Sequence, residues 1–189
     1  MSDSRKQQAL QSRQAVLDAA RRLFGSRGYD ATSLQQIADE LGMRKANVYY
    51  YFRTKEAILD ALLAPMTDRL AALLDTAERI DDPAERTRTL VEGFVDQVLA
   101  SYRAAGSLGL GDPALRRDLP IARRMVELSE RGARILLGDD PSPDRLAGYW
   151  LIQDLGPVLR RCDHLPDAEL RGVLIRVCTR VVDLPRNSR

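Results

Sequence analysis

The sequence predicts an all-α fold, and three observations lead there. Apolar residues recur at i, i+3, i+4 and i+7 in one segment after another. Proline and glycine clusters cut the chain into pieces of helix length. No stretch shows the period-two alternation or the tight turns of a β-hairpin. At 189 residues the chain can hold one core or two small ones. Hydrophobic residues make up 44% and charged residues 30%, which fits a folded chain and not a disordered one. No apolar run reaches 18 residues, so no membrane helix is expected. The opening MSDSRKQQALQSRQ lacks the apolar core of a secretory signal. Cys162 and Cys178 make no disulfide framework, so a reduced, cytoplasmic protein is expected.

In chain order, residues 1 to about 8 read as a flexible arm. Ala9 to Ser26 reads as a helix with Leu10, Val16, Leu17, Ala20, Leu23 and Phe24 near one stripe, ended by Gly25 and Gly28. Leu34, Ile37, Ala38 and Leu41 mark the next, with Thr32 and Gln35 at the spacing of a capping box. Gly42 can take the left-handed conformation that stops it. Met43, Arg44 and Lys45 form the turn, and a second short helix runs from about Lys45 to Tyr51. Lys55 to about Ile80 is a long helix carrying Pro65, where a kink is expected. Pro83 to about Ala104 follows, then a loop from Gly106 to Gly111 and a short helix from Asp112-Pro113 to Asp118. Pro120 opens a helix to about Leu137, and GDDPSP is a loop. Asp144 to Cys162 and Pro166 to Leu184 are read as the two final helices.

Two short helices about a glycine turn form a helix-turn-helix unit, whose second helix enters the DNA major groove. The residue types suit that task. Arg44 and Lys45 can reach phosphate or guanine, and Asn47 can pair with an adenine edge. Ala46 permits close approach and can touch a thymine methyl. Val48 and Phe52, at i and i+4, should face the core. Tyr49, Tyr50 and Tyr51 point in successive directions, so at least one hydroxyl must face outward, where phosphate is a natural partner. Lys55 starts a helix, so its charge and the free N–H groups there point at one phosphate. Charge is distributed accordingly: residues 1–60 hold ten Lys/Arg and seven Asp/Glu, a balance of +3, against nineteen and twenty, a balance of −1, in the remainder.

The stretch GYDATSLQQIADELGMRKANVYYYFRTKEAIL resembles the DNA-binding signature of the TetR family of transcriptional regulators. It agrees at Gly28, Tyr29, Thr32, Ser33, Ile37, Ala38, Gly42, Tyr49, Tyr51, Phe52, Lys55, Glu56 and Leu59. It departs at Met43, Arg44 and Val48, where the pattern has valine, a hydroxyl residue and leucine. The resemblance covers roughly residues 10–62. It implies a three-helix DNA-binding domain at 1–54 and a helical ligand-binding and dimerisation domain at 55–189. It implies a ligand-released repressor that binds a palindromic double-stranded operator, and a DNA contact set of Ser33, Arg44, Lys45, Asn47, Tyr49, Tyr50, Tyr51 and Lys55, with Thr32 only a cap. It also implies an effector pocket among the middle helices and a homodimer through the last two.

Candidates for the pocket are Leu62, Met66, Phe94, Gln97, Val98, Tyr102, Met125, Leu128, Trp150 and Gln153, of which only the two glutamines are polar groups suited to fixing a ligand. Each is equally readable as plain core. For the dimer, Leu146, Trp150, Ile152, Leu155, Leu159, Leu170, Val173, Leu174, Val177, Val181 and Val182 offer more apolar surface than one two-helix face needs, and Gly148 and Gly156 allow close helix approach. No cofactor or metal is expected: His164 is the only histidine, and no Cys-x-x-Cys occurs. Cys162 and Cys178 read more readily as small buried hydrophobes than as a redox pair. No phosphate loop, Ser-His-Asp set or paired carboxylates stand out, so an enzyme is not expected. The readings left open are a DNA binder without a ligand, and a helical enzyme or small-molecule-binding protein with a vestigial helix-turn-helix.

Overall fold

A computed structural model describes residues 2–105 and 119–183, with side chains from residue 4 to 103 and from 119 onward. Its helices are α1 (Ser2–Arg27), α2 (Leu34–Glu40), α3 (Lys45–Tyr51), α4 (Lys55–Glu78), α5 (Pro83–Ala105), α6 (Pro120–Leu137), α7 (Pro143–Leu151), α8 (Gly156–Arg161) and α9 (Asp167–Val182). No strand occurs among the described residues, as the all-α reading requires. The expected loop at 106–111 and short helix at 112–118 lie outside the described residues, as does Leu184.

Two expectations about helix extent are corrected. The N-terminal arm is helical from Ser2. Arg5, Lys6, Gln7, Gln8 and Ala9 are all good helix formers, and no breaker separates them from the helix proper. The expected helix from Asp144 to Cys162 is two helices, broken between Ile152 and Leu155. In one continuous helix the Pro157 ring would strike the carbonyl of Gln153 and forfeit a hydrogen bond. Instead α8 takes Pro157 into its first turn, where a missing N–H costs nothing. By contrast α4 continues through Pro65.

The core falls into three apolar clusters. The first joins Val16 to Phe24 of α1, Ile37 and Ala38 of α2, Val48 and Phe52 around α3, and Ile58 to Leu63 of α4. It also takes in Ile121 and Met125 from α6, far along the chain. The second gathers α5, α7, α8 and α9 around Val95, Leu159, Leu170 and Leu174. The third, Leu74, Ala77, Leu90 and Leu128, fills the space among α4, α5 and α6. Thus α4 belongs to two clusters and α6, through Ile121, Leu128 and Leu137, to all three, and together they tie the two ends of the chain.

Arginine–carboxylate pairs line the helix seams. Arg124 and Arg131 of α6 reach Asp68 (2.7 Å) and Asp75 (2.7 Å) of α4, and Arg171 of α9 grips Asp96 of α5 through two bonds of 2.5 and 2.9 Å. The carboxylate of Asp96 is held below its usual range by the Arg171 hydrogen bonds. These groups are largely solvated, so they fix helix register more than they add stability. The Arg145 guanidinium donates to the carbonyls of Leu136 and Val182 (both 3.3 Å), satisfying the C-terminal ends of α6 and α9.

Candidate nucleic-acid interface

The turn between α2 and α3 is fixed by local hydrogen bonds. Ser33 is the N-cap of α2: its hydroxyl accepts from the Gln36 N–H at 3.2 Å, and the Gln36 side chain accepts from the Ser33 N–H at 2.7 Å. The capping box is therefore Ser33–Gln36, one residue later than the Thr32–Gln35 expected from the sequence. Thr32 is buried, and its hydroxyl donates to the Gly28 carbonyl at 2.9 Å. At the other end the N–H groups of Gly42 and Met43 bond back to Asp39 and Ala38, with Gly42 at φ 61. This is a Schellman stop, which favours glycine at the left-handed position.

Helix α3 is seated by one residue. Val48 is fully buried, and Phe52 just beyond the helix is buried beside it, as their spacing requires. Around that anchor, Arg44, Lys45, Ala46, Asn47, Tyr49 and Tyr50 are all exposed. Tyr50 is 75% exposed, while Tyr51 is half-buried and meets the Tyr50 ring edge-on at 5.0 Å. The Lys45 ammonium lies 5.4 Å from the centre of the Tyr49 ring. The face combines cations, an amide, a small residue and aromatic hydroxyls, with no carboxylate on α3 itself.

Lys55, expected to meet phosphate, is engaged within the chain. Its ammonium donates to the carbonyls of Tyr29 (2.7 Å), Thr32 (2.8 Å) and Asp30 (3.4 Å), and sits 4.2 Å from the Tyr29 ring centre. A lysine has three N–H donors, and three carbonyls of the α1–α2 connection meet them. Next to it, the Glu56 carboxylate accepts from the Tyr29 hydroxyl at 3.1 Å. Glu56 is held below its usual range, chiefly by its own backbone N–H in the first turn of α4. The start of α4 thus clamps the loop that leads into α2.

The sequence profile described as bacterial regulatory proteins, tetR family, matches residues 16–62, the span of this unit. Across the whole fold the chain is similar to the crystal structure of Mycobacterium smegmatis AmtR, with a TM-score of 0.65 and 31% identity over 91% of this chain and 86% of that one. The chain belongs to the tetR family. Among curated relatives of this tetR-family chain, the HTH-type transcriptional repressor Rv1474c of Mycobacterium tuberculosis is 36% identical over 61 residues, 32% of this chain and 33% of that protein. The chain spans less than half the length of the curated relatives it matches. The crystal structure of AibR in complex with isovaleryl coenzyme A and operator DNA shares the fold at a TM-score of 0.64 and 21% identity, over 87% of this chain and 96% of that one.

In the C-terminal part of this tetR-family chain, the pocket candidates separate into groups. Phe94, Leu128 and Gln153 line an interior cavity of about 40 Å³ among α4, α5, α6 and α7, room for about one water. Met125, Trp150 and Gln153 line a more open groove of about 270 Å³ between α6 and α7. Leu62 and Met66 belong to the first apolar cluster, and Val98 and Tyr102 to the second. Gln97 donates its amide to the Met66 carbonyl at 2.8 Å, a tie between α5 and α4.

Two residues beside these spaces were not singled out from the sequence. Tyr149 is buried, and its hydroxyl donates to the Ser129 carbonyl at 2.6 Å; burial pushes its pKa up to about 12. The Ser129 hydroxyl donates to the Gln153 side chain at 3.3 Å. A Cβ on Gly132 would lie 2.7 Å from the Tyr149 hydroxyl, so glycine is what admits the ring there. Helical phase was the available signal: of the neighbours Tyr149 and Trp150, the period of α7 turns the tyrosine inward. Cys178 also lines the interior cavity, and burial raises its thiol pKa to about 11. Neither cysteine is bonded, and among the described residues no His, Cys, Asp and Glu cluster could hold a metal.

Proposed function

We propose that this chain is a DNA-binding transcriptional regulator, a repressor released by a small molecule. The observation that supports it most directly is the open face of α3, with Arg44, Lys45, Ala46, Asn47, Tyr49 and Tyr50 exposed around the buried Val48. Lys45 and Asn47, near the helix N-terminus, are assigned to base edges, and Arg44 and the tyrosine hydroxyls to phosphate. Ser33 and Lys55 are assigned instead to holding the unit together, in keeping with their intramolecular bonds. Residues 1–54 form the DNA-reading unit and residues 55–189 the regulatory one, with α4 and α6 crossing between them. The operator complex of AibR supports the DNA partner by analogy of fold.

The active species is a homodimer through α7, α8 and α9. Within one chain Ile152, Leu155, Leu159, Leu170, Leu174 and Val182 are already buried, so they do not supply the interface. Gly148 is also buried. The outward apolar residues are Leu146, Leu151, Val158 and Val177, whereas Trp150, also outward, lines the groove between α6 and α7 and is left out of the interface. A small molecule acts by population shift: it binds the DNA-incompetent arrangement better than the competent one.

The test is selection of a binding site from random duplex DNA, followed by titration at several salt concentrations, with sedimentation of the free protein. The expected site is a palindrome whose half-sites lie about 34–36 Å apart or a multiple of that. Log affinity should fall linearly with log salt. Failure to select any salt-sensitive site overturns the DNA reading, and a monomer at micromolar concentration overturns the dimer.

A further inference from the structure

Resting on the reading that a small molecule controls this regulator, we propose that the molecule is an organic cation with a flat apolar group, held in the groove between α6 and α7. The groove is walled by Met125, Val126 and Trp150, and its polar edge is Ser129, Gln153 and Asp154. Among the described residues, neither the groove nor the interior cavity is lined by any lysine, arginine or histidine. Asp154 is the one ionisable group that lines the groove. It accepts from the Gly156 N–H at 3.1 Å, and no arginine or lysine among the described residues pairs with it. An anion would therefore enter with a carboxylate beside it and no cation to meet it.

The indole of Trp150 is the second element. It is 44% exposed and meets the buried Tyr149 ring edge-on at 5.5 Å and 82°. A half-open aromatic face next to a carboxylate is what attracts a cation that carries a flat apolar body. Ser129 and Gln153 line the groove and the interior cavity alike, so their 3.3 Å hydrogen bond is the wall between them. A turn of the Gln153 side chain would open one space to the other. Their volumes of about 40 and 270 Å³ then reach the lower end of the roughly 300–1,000 Å³ of ligand pockets.

Trp150 is the only tryptophan, so its emission reports on the groove alone. The full-length protein is titrated with phenyltrimethylammonium, its uncharged isostere tert-butylbenzene, and phenylphosphonate, following emission and thermal stability together. The cation should give a saturable change with a dissociation constant about 3- to 10-fold below that of the isostere. The phosphonate should give none. In Asp154→Asn, which keeps the oxygen that accepts from Gly156, the advantage of the cation over the isostere should shrink to what the Trp150 face alone supplies. A tie between cation and isostere in the unaltered protein, equal or better binding of the phosphonate, or no saturable change with any probe overturns the proposal. Operator binding is measured in parallel. If it persists while the probe order fails, only the ligand class falls. If the order holds while no DNA is bound, the site stands and the regulator reading falls.

Discussion

Replacing Lys55 by methionine separates two roles that a lysine beside a DNA-reading helix could have. The ammonium makes two short bonds, 2.7 Å to the Tyr29 carbonyl and 2.8 Å to the Thr32 carbonyl, and a longer one of 3.4 Å to Asp30. Hydrogen bonds to charged groups contribute about 1.5–3 kcal/mol each. Lys55 is only half-buried, so the lower end applies, and the two short bonds together give about 3 kcal/mol. That is a large fraction of a typical folding free energy of about 5–15 kcal/mol. Urea unfolding of Lys55→Met should show a lower midpoint with an unchanged slope. Operator affinity should drop because the loop before α2 loosens, while the dependence of log affinity on log salt stays as in the parent protein. A phosphate contact predicts the opposite pair: an unchanged unfolding midpoint and a salt slope smaller by about 1. That second pattern would refute the clamp.

Other substitutions test neighbouring parts. Asn47→Ala and Lys45→Ala should each cost about 1–3 kcal/mol on the selected operator. On scrambled DNA at the same salt, Lys45→Ala should lose clearly more than Asn47→Ala, because only the lysine serves the charge-driven term; equal loss of Asn47→Ala on both DNAs would remove it from base reading. Ser33→Ala, which breaks the capping box, should lower stability by about 1 kcal/mol. Thr32→Val keeps the shape but removes the donor to the Gly28 carbonyl, and should cost about 1–2 kcal/mol in thermal unfolding. Tyr149 has an ordinary pKa near 10 when unfolded and about 12 when folded. Its contribution is therefore whole below pH 10 and lost as pH climbs toward 12. Stability measured across that range should fall less steeply in Tyr149→Phe, and an unchanged profile would contradict the burial argument.

Much of the N-terminal unit was legible because its signals are local. Val48 and Phe52 at i and i+4 face the core, Gly42 carries the left-handed turn, and α3 has the expected bounds. The capping box was misplaced by one residue because Thr32–Gln35 and Ser33–Gln36 have identical spacing. Only the bond from the Thr32 hydroxyl back to the Gly28 carbonyl, four residues earlier, decides between them. The intramolecular bonds of Lys55 were not legible for a related reason: its partners stand 23 to 26 residues earlier, beyond the reach of any pattern along the chain. In the C-terminal part, apolar residues were found readily, but which face of each helix meets which neighbour was not. The sequence put Trp150 and Leu62 in one candidate set, whereas one is half-exposed on α7 and the other lies in the N-terminal core. The break before Pro157 was readable from the proline rule alone.

Met125 occupies a position with two owners. It is buried in the cluster that seats Val48, and it also forms part of the wall of the groove between α6 and α7. An occupant of that groove would therefore touch a side chain that packs into the same apolar cluster as Val48. Close-packed interiors pass on small displacements because they contain few voids to absorb them. The same closeness limits the strength of the response. Through Met125 the occupant would shift the DNA-binding equilibrium by the difference in repacking energy around one flexible thioether, a coupling of about 1–3 kcal/mol. On the ligand reading proposed above, the regulator would answer in a graded manner, through a change of tens-fold in occupancy, and not as a switch with an absolute off state.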